Sequence, residues 1–293
     1  MHRITCSLFA LILPAMLHAG DAEILAALKS KGAEFTETNG TVTGLAFGDC
    51  STLTPADYAQ IRQLAQVKSL NMGRGFNDAG LKALGEMPAL ESLSTNGMDA
   101  TDEGIRALAA FKALRTIAFF HPGKRLTGTG LAALAALPRL ERLTVAGSVA
   151  FADEGMAAVA TITHLKNFRT WHTGVTIAGV KKLAALKELT SITLGQRLSY
   201  EPPTTLSDAA LPVLAELPLL ADIGLGEARL TLGALGELKK LTQLKRLALD
   251  GIDIAEADIA ALKQQLPKTD VRWTPPTDTN KKRIEALFKA SSR

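Results

Sequence analysis

Two aromatic–histidine pairs, Phe120-His121 and Trp171-His172, are the residues best suited to recognition chemistry. A rigid ring on a surface supplies apolar contact at low entropic cost, and Trp and Tyr are enriched among residues that dominate binding energy. Cations flank both pairs: Arg169 before Trp171, Lys124 and Arg125 beyond His121, and Arg197 near Tyr200. Guanidinium and ammonium groups hold carboxylates. The set therefore favours an acidic protein or peptide partner. Trp171 and Tyr200 are also rings of the kind that stack on sugar faces, which makes a cell-envelope glycan the alternative ligand.

Catalytic chemistry finds little support. His121 and His172 fall two strands apart in the repeat described below, so their backbones are about 10 Å apart at roughly 4.8 Å per strand. Zinc ligands sit about 2 Å from their ion, and no metal site is expected. Gly73-Arg74-Gly75 supplies two glycines of a dinucleotide loop, but Asp78 stands where the third belongs. There is no G-x-S-x-G elbow and no HExxH helix. The expectation is a non-enzyme with no cofactor.

The elements that must position these side chains recur along the chain. Aligned on the first apolar residue of each strand, the repeat runs Leu45, Leu70, Leu93, Ile117, Leu143, Phe168, Ile192, Ile223, Leu247 and Val271. The steps are 23 to 26 residues, with one of 31 between Ile192 and Ile223. Two positions on comes a second inward residue: Phe47, Met72, Thr95, Phe119, Val145, Thr170, Leu194, Leu225, Leu249 and Trp273. Alternate residues of a strand share a face. The next position along is mostly small or polar, and only Phe120 and Trp171 break that pattern.

Upstream of the strands, apolar residues recur every third position, as in Leu131, Leu134, Leu137 and Leu140. That spacing predicts short or 3₁₀-like helices with one buried stripe. Thr54, Asn77, Thr101, Thr127, Thr176, Ser207 and Thr231 stand where helix caps belong. Three residues later come Gly80, Gly104, Gly130, Gly155 and Gly179, predicting close approach between neighbouring repeats.

Segments NDAGLKAL, TDEGIRAL and LSDAALPVL resemble the leucine-rich repeat superfamily, specifically its short ribonuclease-inhibitor-like forms in an exported, bacterial-style protein. The likeness covers Thr43 to Trp273. It implies an α/β solenoid, a horseshoe with a concave parallel β-sheet and short helices on the convex side. The family usually carries Asn or Cys five residues after the strand leucine. Here only Cys50 fits, against Gly75, Met98, Pro122, Ser148, Thr173 and Ile252. Loop insertions in solenoids often fall on the binding face, and the longest step adds residues within Gln196 to Leu206, beside Arg197 and Tyr200. A concave-face site is thus expected from Phe120, His121, Lys124, Arg125, Arg169, Trp171, His172, Arg197 and Tyr200, mediating protein–protein interaction.

Residues 1–20 read as a secretory signal peptide: Arg3, then an apolar run to Leu17, then small residues. The run is too short to span a bilayer. An exported protein follows, periplasmic or secreted. Residues 21–42 read as an N-terminal cap with a helix and an Asn39-Gly40 hairpin turn; 43–273 form the repeat domain. Residues 274–293 form a C-terminal linker and a helix over Lys281 to Ala290, which caps the last repeat, hangs free, or docks on another chain in an assembly role. The net charge of +4 is mild, without the basic stripe of nucleic-acid binders. With Cys6 in the leader, Cys50 is the one mature cysteine, read as a buried structural thiol.

Overall fold

A computed structural model describes residues 19–198 and 205–291. The expected signal segment before residue 19, Tyr200 and Pro202-Pro203 lie outside the described residues. The strands are β1 (Glu34–Thr38), β2 (Thr41–Asp49), β3 (Ser69–Arg74), β4 (Ser92–Asn96), β5 (Thr116–Phe120), β6 (Arg142–Ala146), β7 (Asn167–Trp171), β8 (Ser191–Gly195), β9 (Asp222–Gly226), β10 (Arg246–Asp250) and β11 (Asp270–Thr274). They form one sheet in chain order. β1 pairs antiparallel with β2 through a turn in which Asn39 (φ 51°) and Gly40 (φ 74°) are left-handed, and β2 to β11 run parallel.

The register is that of the sequence alignment. Leu45, Leu70, Leu93 and Ile117 are mutual partners, and the row continues to Val271. The long repeat does not disturb it: Ile192 still pairs with Ile223. Inward residues from Leu45 to Leu249 are buried, and Trp273 is half-buried with its indole N–H donating to the Ile252 carbonyl. Thr95 and Thr170 occupy inward positions at 0 % exposure. The Thr170 hydroxyl lies 3.4 Å from that of Thr173, while the Thr95 hydroxyl has no hydrogen-bond partner.

The three-residue stripes become 3₁₀ segments, where three residues per turn stack side chains on one edge. In Thr129–Ala136 and the residues after it, Leu131, Leu134, Leu137 and Leu140 are all fully buried. Each such leucine contributes about 1.5–3 kcal/mol of apolar burial.

A polar ladder joins the repeats, and here the structure departs from the sequence reading. The first helical residue of one repeat, an aspartate, accepts from both the N–H and the hydroxyl of the threonine that opens the next. Asp78 holds Thr101 at 2.8 and 2.6 Å, and Asp153 holds Thr176 at 2.8 and 2.6 Å. Asp102 holds Thr127 and also accepts from the Gly128 and Gly130 N–H groups at 2.9 Å, and Asp208 holds Thr231. Thr54, Asn77, Thr101, Thr176 and Thr231 also cap their own helices. Thr127 and Ser207 do not. The Thr127 hydroxyl is given to Asp102, with Gly128 (φ 94°) opening the turn, and Ser207 makes no side-chain cap bond. The repeated glycines face this ladder closely: a Cβ at Gly104 or Gly179 would overlap the aspartate of the preceding repeat.

Burial raises the Asp102 pKa, but hydrogen bonds from Gly130, Thr127 and Gly128 outweigh it and leave the carboxyl below its usual 3.8. A depressed carboxylate stabilises the fold above its unfolded pKa and loses that contribution as pH falls through the folded value. Asp102→Asn should therefore cost about 1–3 kcal/mol at neutral pH, from unmet donors. In urea melts it should also flatten the loss of stability expected as pH falls below the usual carboxyl value of 3.8. Parallel acid limbs in both proteins would refute the role.

Cys50 is 1 % exposed, and burial pushes its thiol up to about 11, so it is unreactive at neutral pH. In the long loop the Gln196 side-chain carbonyl accepts from the Thr205 and Leu206 N–H groups at 2.9 and 3.0 Å. At the N-terminal end, the helix Ala19–Ser30 buries Leu28, and Lys31 pairs with Asp57 at 2.7 Å. The C-terminal helix Asp278–Ser291 neither hangs free nor extends the stack. It turns back toward the loop after β9: Asn280 reaches Glu227, Glu285 lies 3.9 Å from Arg229, and Ile284 and Leu287 are fully buried.

Candidate functional site

Phe120, Ala146 and Trp171 are register partners on β5, β6 and β7. Their outer backbones are about 10 Å apart at the strand spacing. The rings nevertheless meet, with centroids 6.0 Å apart and planes tilted by 51°. They lean together over Ala146, which is only 2 % exposed. A small residue between two large ones is what allows this. The Arg169 guanidinium stands 5.1 Å from the Trp171 ring centroid, a cation–π distance.

Beyond Trp171 the surface drops into a groove of about 430 Å³. Arg169, Trp171 and His172 form one wall, and Ala248, Asp250 and Glu227 form the other. Its floor is Gly195, Gly224 and Gly226. Gly195 is demanded by packing, because a Cβ there would lie 2.6 Å from the Trp171 Cβ. Gly226 is not: its Cβ would meet nothing nearer than 3.7 Å. Glycine in a strand interior weakens it and often marks close approach of another molecule.

The residue after the strand is left-handed in several repeats. Gly97, Gly147 and Gly251 adopt it freely, but His121 (φ 47°), His172 (φ 54°) and Glu227 (φ 58°) adopt it with a side chain. Such conformations cost on the order of 1 kcal/mol each and cluster at functional sites. His172 Nε2 and Glu227 Oε2 are 2.7 Å apart. His121 is separate, with Nδ1 3.1 Å from Asn96 Oδ1. Among the described residues no group of His, Cys, Asp and Glu is placed to hold a metal.

The hydrogen bond that the His172 ring donates to the Glu227 carboxylate raises the His172 pKa above 6.5; burial opposes it and the Glu227 charge adds to it. Glu227→Gln should lower it, by removing the carboxylate that favours the charged ring. An NMR titration of the imidazole would check this, and an unchanged midpoint would rule the pair out.

The expected site residues are thus only partly brought together. Phe120, Arg169, Trp171 and His172 share the groove and its wall, and Arg197 lines an adjoining recess with His172 and Glu227. His121 borders the same end of the sheet with its own partner. Lys124 and Arg125 stand apart from the groove lining, and Arg125 is held by Asp99 at 2.9 Å. Glu227, Asp250, Asn280 and Arg283 were not singled out in the sequence. Glu227 had a signal: it follows its strand in the register of His121 and His172. At the strand starts, the pairs Lys68–Glu91, Glu91–Arg115 and Glu141–Lys166 alternate in sign and cancel one another.

The architecture is an α/β leucine-rich-repeat solenoid, with parallel strands in one register and a helix or 3₁₀ turn between each pair. No protein-family profile and no curated protein sequence matches the chain. Among solved structures it is similar to an internalin (InlF) from Listeria monocytogenes str. 4b F2365, at 17% identity and a TM-score of 0.43, covering 92% of this chain and 93% of that one. No helix among the described residues is long and apolar enough to cross a membrane.

Proposed function

We propose that this is an exported recognition protein that binds a protein or peptide through the face of its sheet away from the helices. The observation that carries the reading is the Phe120–Trp171 pair, two rings 6.0 Å apart beside a glycine floor that packing does not require at Gly226. An aromatic anchor next to bare backbone suits an inserted partner side chain. Arg169 and Arg197 favour carboxylates on that partner, and Glu227 and Asp250 favour a base next to them. Lys124 adds positive potential from a distance, whereas the Arg125 charge is offset by Asp99. Export rests on the apolar leader at residues 1–20.

Glycan binding is the second reading, favoured by hydrogen-bonding groups (His172, Glu227, Asp250) beside the Trp171 ring. Pull-down from envelope and secreted fractions separates the two. Wild type and a folded Phe120→Ala/Trp171→Ala variant are compared, with purified envelope polysaccharide as a parallel bait. A protein captured by wild type alone supports the proposal. A protein captured equally by both moves the interface elsewhere, and polysaccharide retention lost in the variant replaces the proposal with the glycan reading.

A further inference from the structure

Next to the groove lies a recess of about 280 Å³, lined by His172, Arg197, Leu198, Glu227, Asn280 and Arg283. It is assembled from the loops after β7, β8 and β9 and from the C-terminal helix. Its charges do not balance. Among the described residues Glu227 is the one carboxylate in the lining, and both its oxygens are engaged: Oε2 by His172 at 2.7 Å and Oε1 by the Asn280 amide at 3.5 Å. Arg197 and Arg283 make no ion pair among the described residues. By contrast, nearby Arg229 is neutralised by Asp253 at 2.6 Å, with Glu285 at 3.9 Å. The next residue after Arg283, Ile284, is fully buried, as is Leu287, so the backbone from which Arg283 extends is anchored rather than a loose end.

We propose that this recess is an oxyanion site in which Arg197 and Arg283 together grip a carboxylate or a sulfate-like group. Two arginines line this one recess, and guanidinium forks match the planar, multidentate geometry of such anions. The Asn280 and His172 side chains are held by Glu227, so that carboxylate is kept from closing on the arginines. The site deepens the recognition reading and rests on it for the source of the anion: an acidic side chain of the protein bound in the groove. The groove would seat the apolar anchor while the recess takes the acid beside it.

The test uses the full mature chain in calorimetric titrations with sodium sulfate, at ionic strength held constant with chloride, and with a capped acidic peptide. Arg283→Gln and Arg197→Gln are compared with Arg139→Gln, an exposed arginine elsewhere, and thermal melts confirm that each folds. Wild type should bind both probes. Either recess variant should weaken both by about tenfold or more, the loss expected for one charge-assisted contact, while Arg139→Gln changes nothing. Equal effects from Arg283→Gln and Arg139→Gln, or no binding of either probe, would overturn the site. Sulfate binding without peptide binding would keep the oxyanion site and overturn its assignment to a partner's side chain. Failure here with a Trp171-dependent partner still captured leaves the recognition reading standing. Arg283-dependent anion binding with no such partner leaves the site and removes that reading.

Discussion

Trp171→Ala is expected to weaken partner binding by at least about 30-fold, the equivalent of the 2 kcal/mol that marks a hot spot. Three losses combine. The indole face disappears from the groove wall, the edge contact with Phe120 is broken, and Arg169 loses the ring that stations it. The fold should barely notice, because Trp171 lies on the face away from the helices while the buried residues of β7 are Phe168 and Thr170. Surface plasmon resonance with the captured partner would measure the first effect and scanning calorimetry the second. Phe120→Ala should have a smaller effect, since Phe120 supports the wall rather than lining the groove. Unchanged affinity in a folded Trp171→Ala protein would remove this face from consideration.

The largest stability effect is expected at Gly73. A Cβ there would overlap the Gly48 carbonyl carbon and oxygen and would lie 2.6 Å from the Phe47 carbonyl oxygen. All three are backbone atoms, so no rotamer change relieves the clash. Gly73→Ala must push β3 away from β2, at a cost of about 3 kcal/mol or more. Gly48 supplies the control: a Cβ there meets nothing within 4 Å, and Gly48→Ala should be close to neutral. Each unit of a solenoid packs only on its neighbours. The damage should therefore stay at one interface, and the segment before Cys50 should exchange its amides first. Equal melting of the two variants would disprove this account. The same geometry explains Gly73-Arg74-Gly75 without any phosphate-binding role.

Periodicity fixed most of the scaffold. A 24-residue beat with two inward residues per strand leaves one register that buries them all, and the pairing of Leu45 with Leu70 through to Val271 follows it. The ladder was harder to read. Thr127 and Ser207 look like caps because hydroxyl residues before a helix usually are, yet the Thr127 hydroxyl goes to an aspartate of the preceding repeat and Ser207 makes no side-chain cap bond. Placement was legible where the candidate residues obeyed the repeat: register alone puts Phe120, Arg169 and Trp171 on the outer face of their strands. It was illegible where contacts ran outside the repeat. Nothing periodic says that Arg125 turns to Asp99, or that the C-terminal helix doubles back to bring Asn280 and Arg283 beside His172. The ring contact was also hidden, because strand spacing measures backbones while side chains lean.

The long step between Ile192 and Ile223 has an architectural meaning. Its strands enter and leave in the same register as those of shorter repeats, and Gln196 ties the base of the loop to Thr205 and Leu206. Length can thus be added at that point without the neighbouring layers registering the change. The molecule keeps an insulated port, where new surface chemistry can be spliced in beside the groove while the inheritance of the scaffold stays untouched.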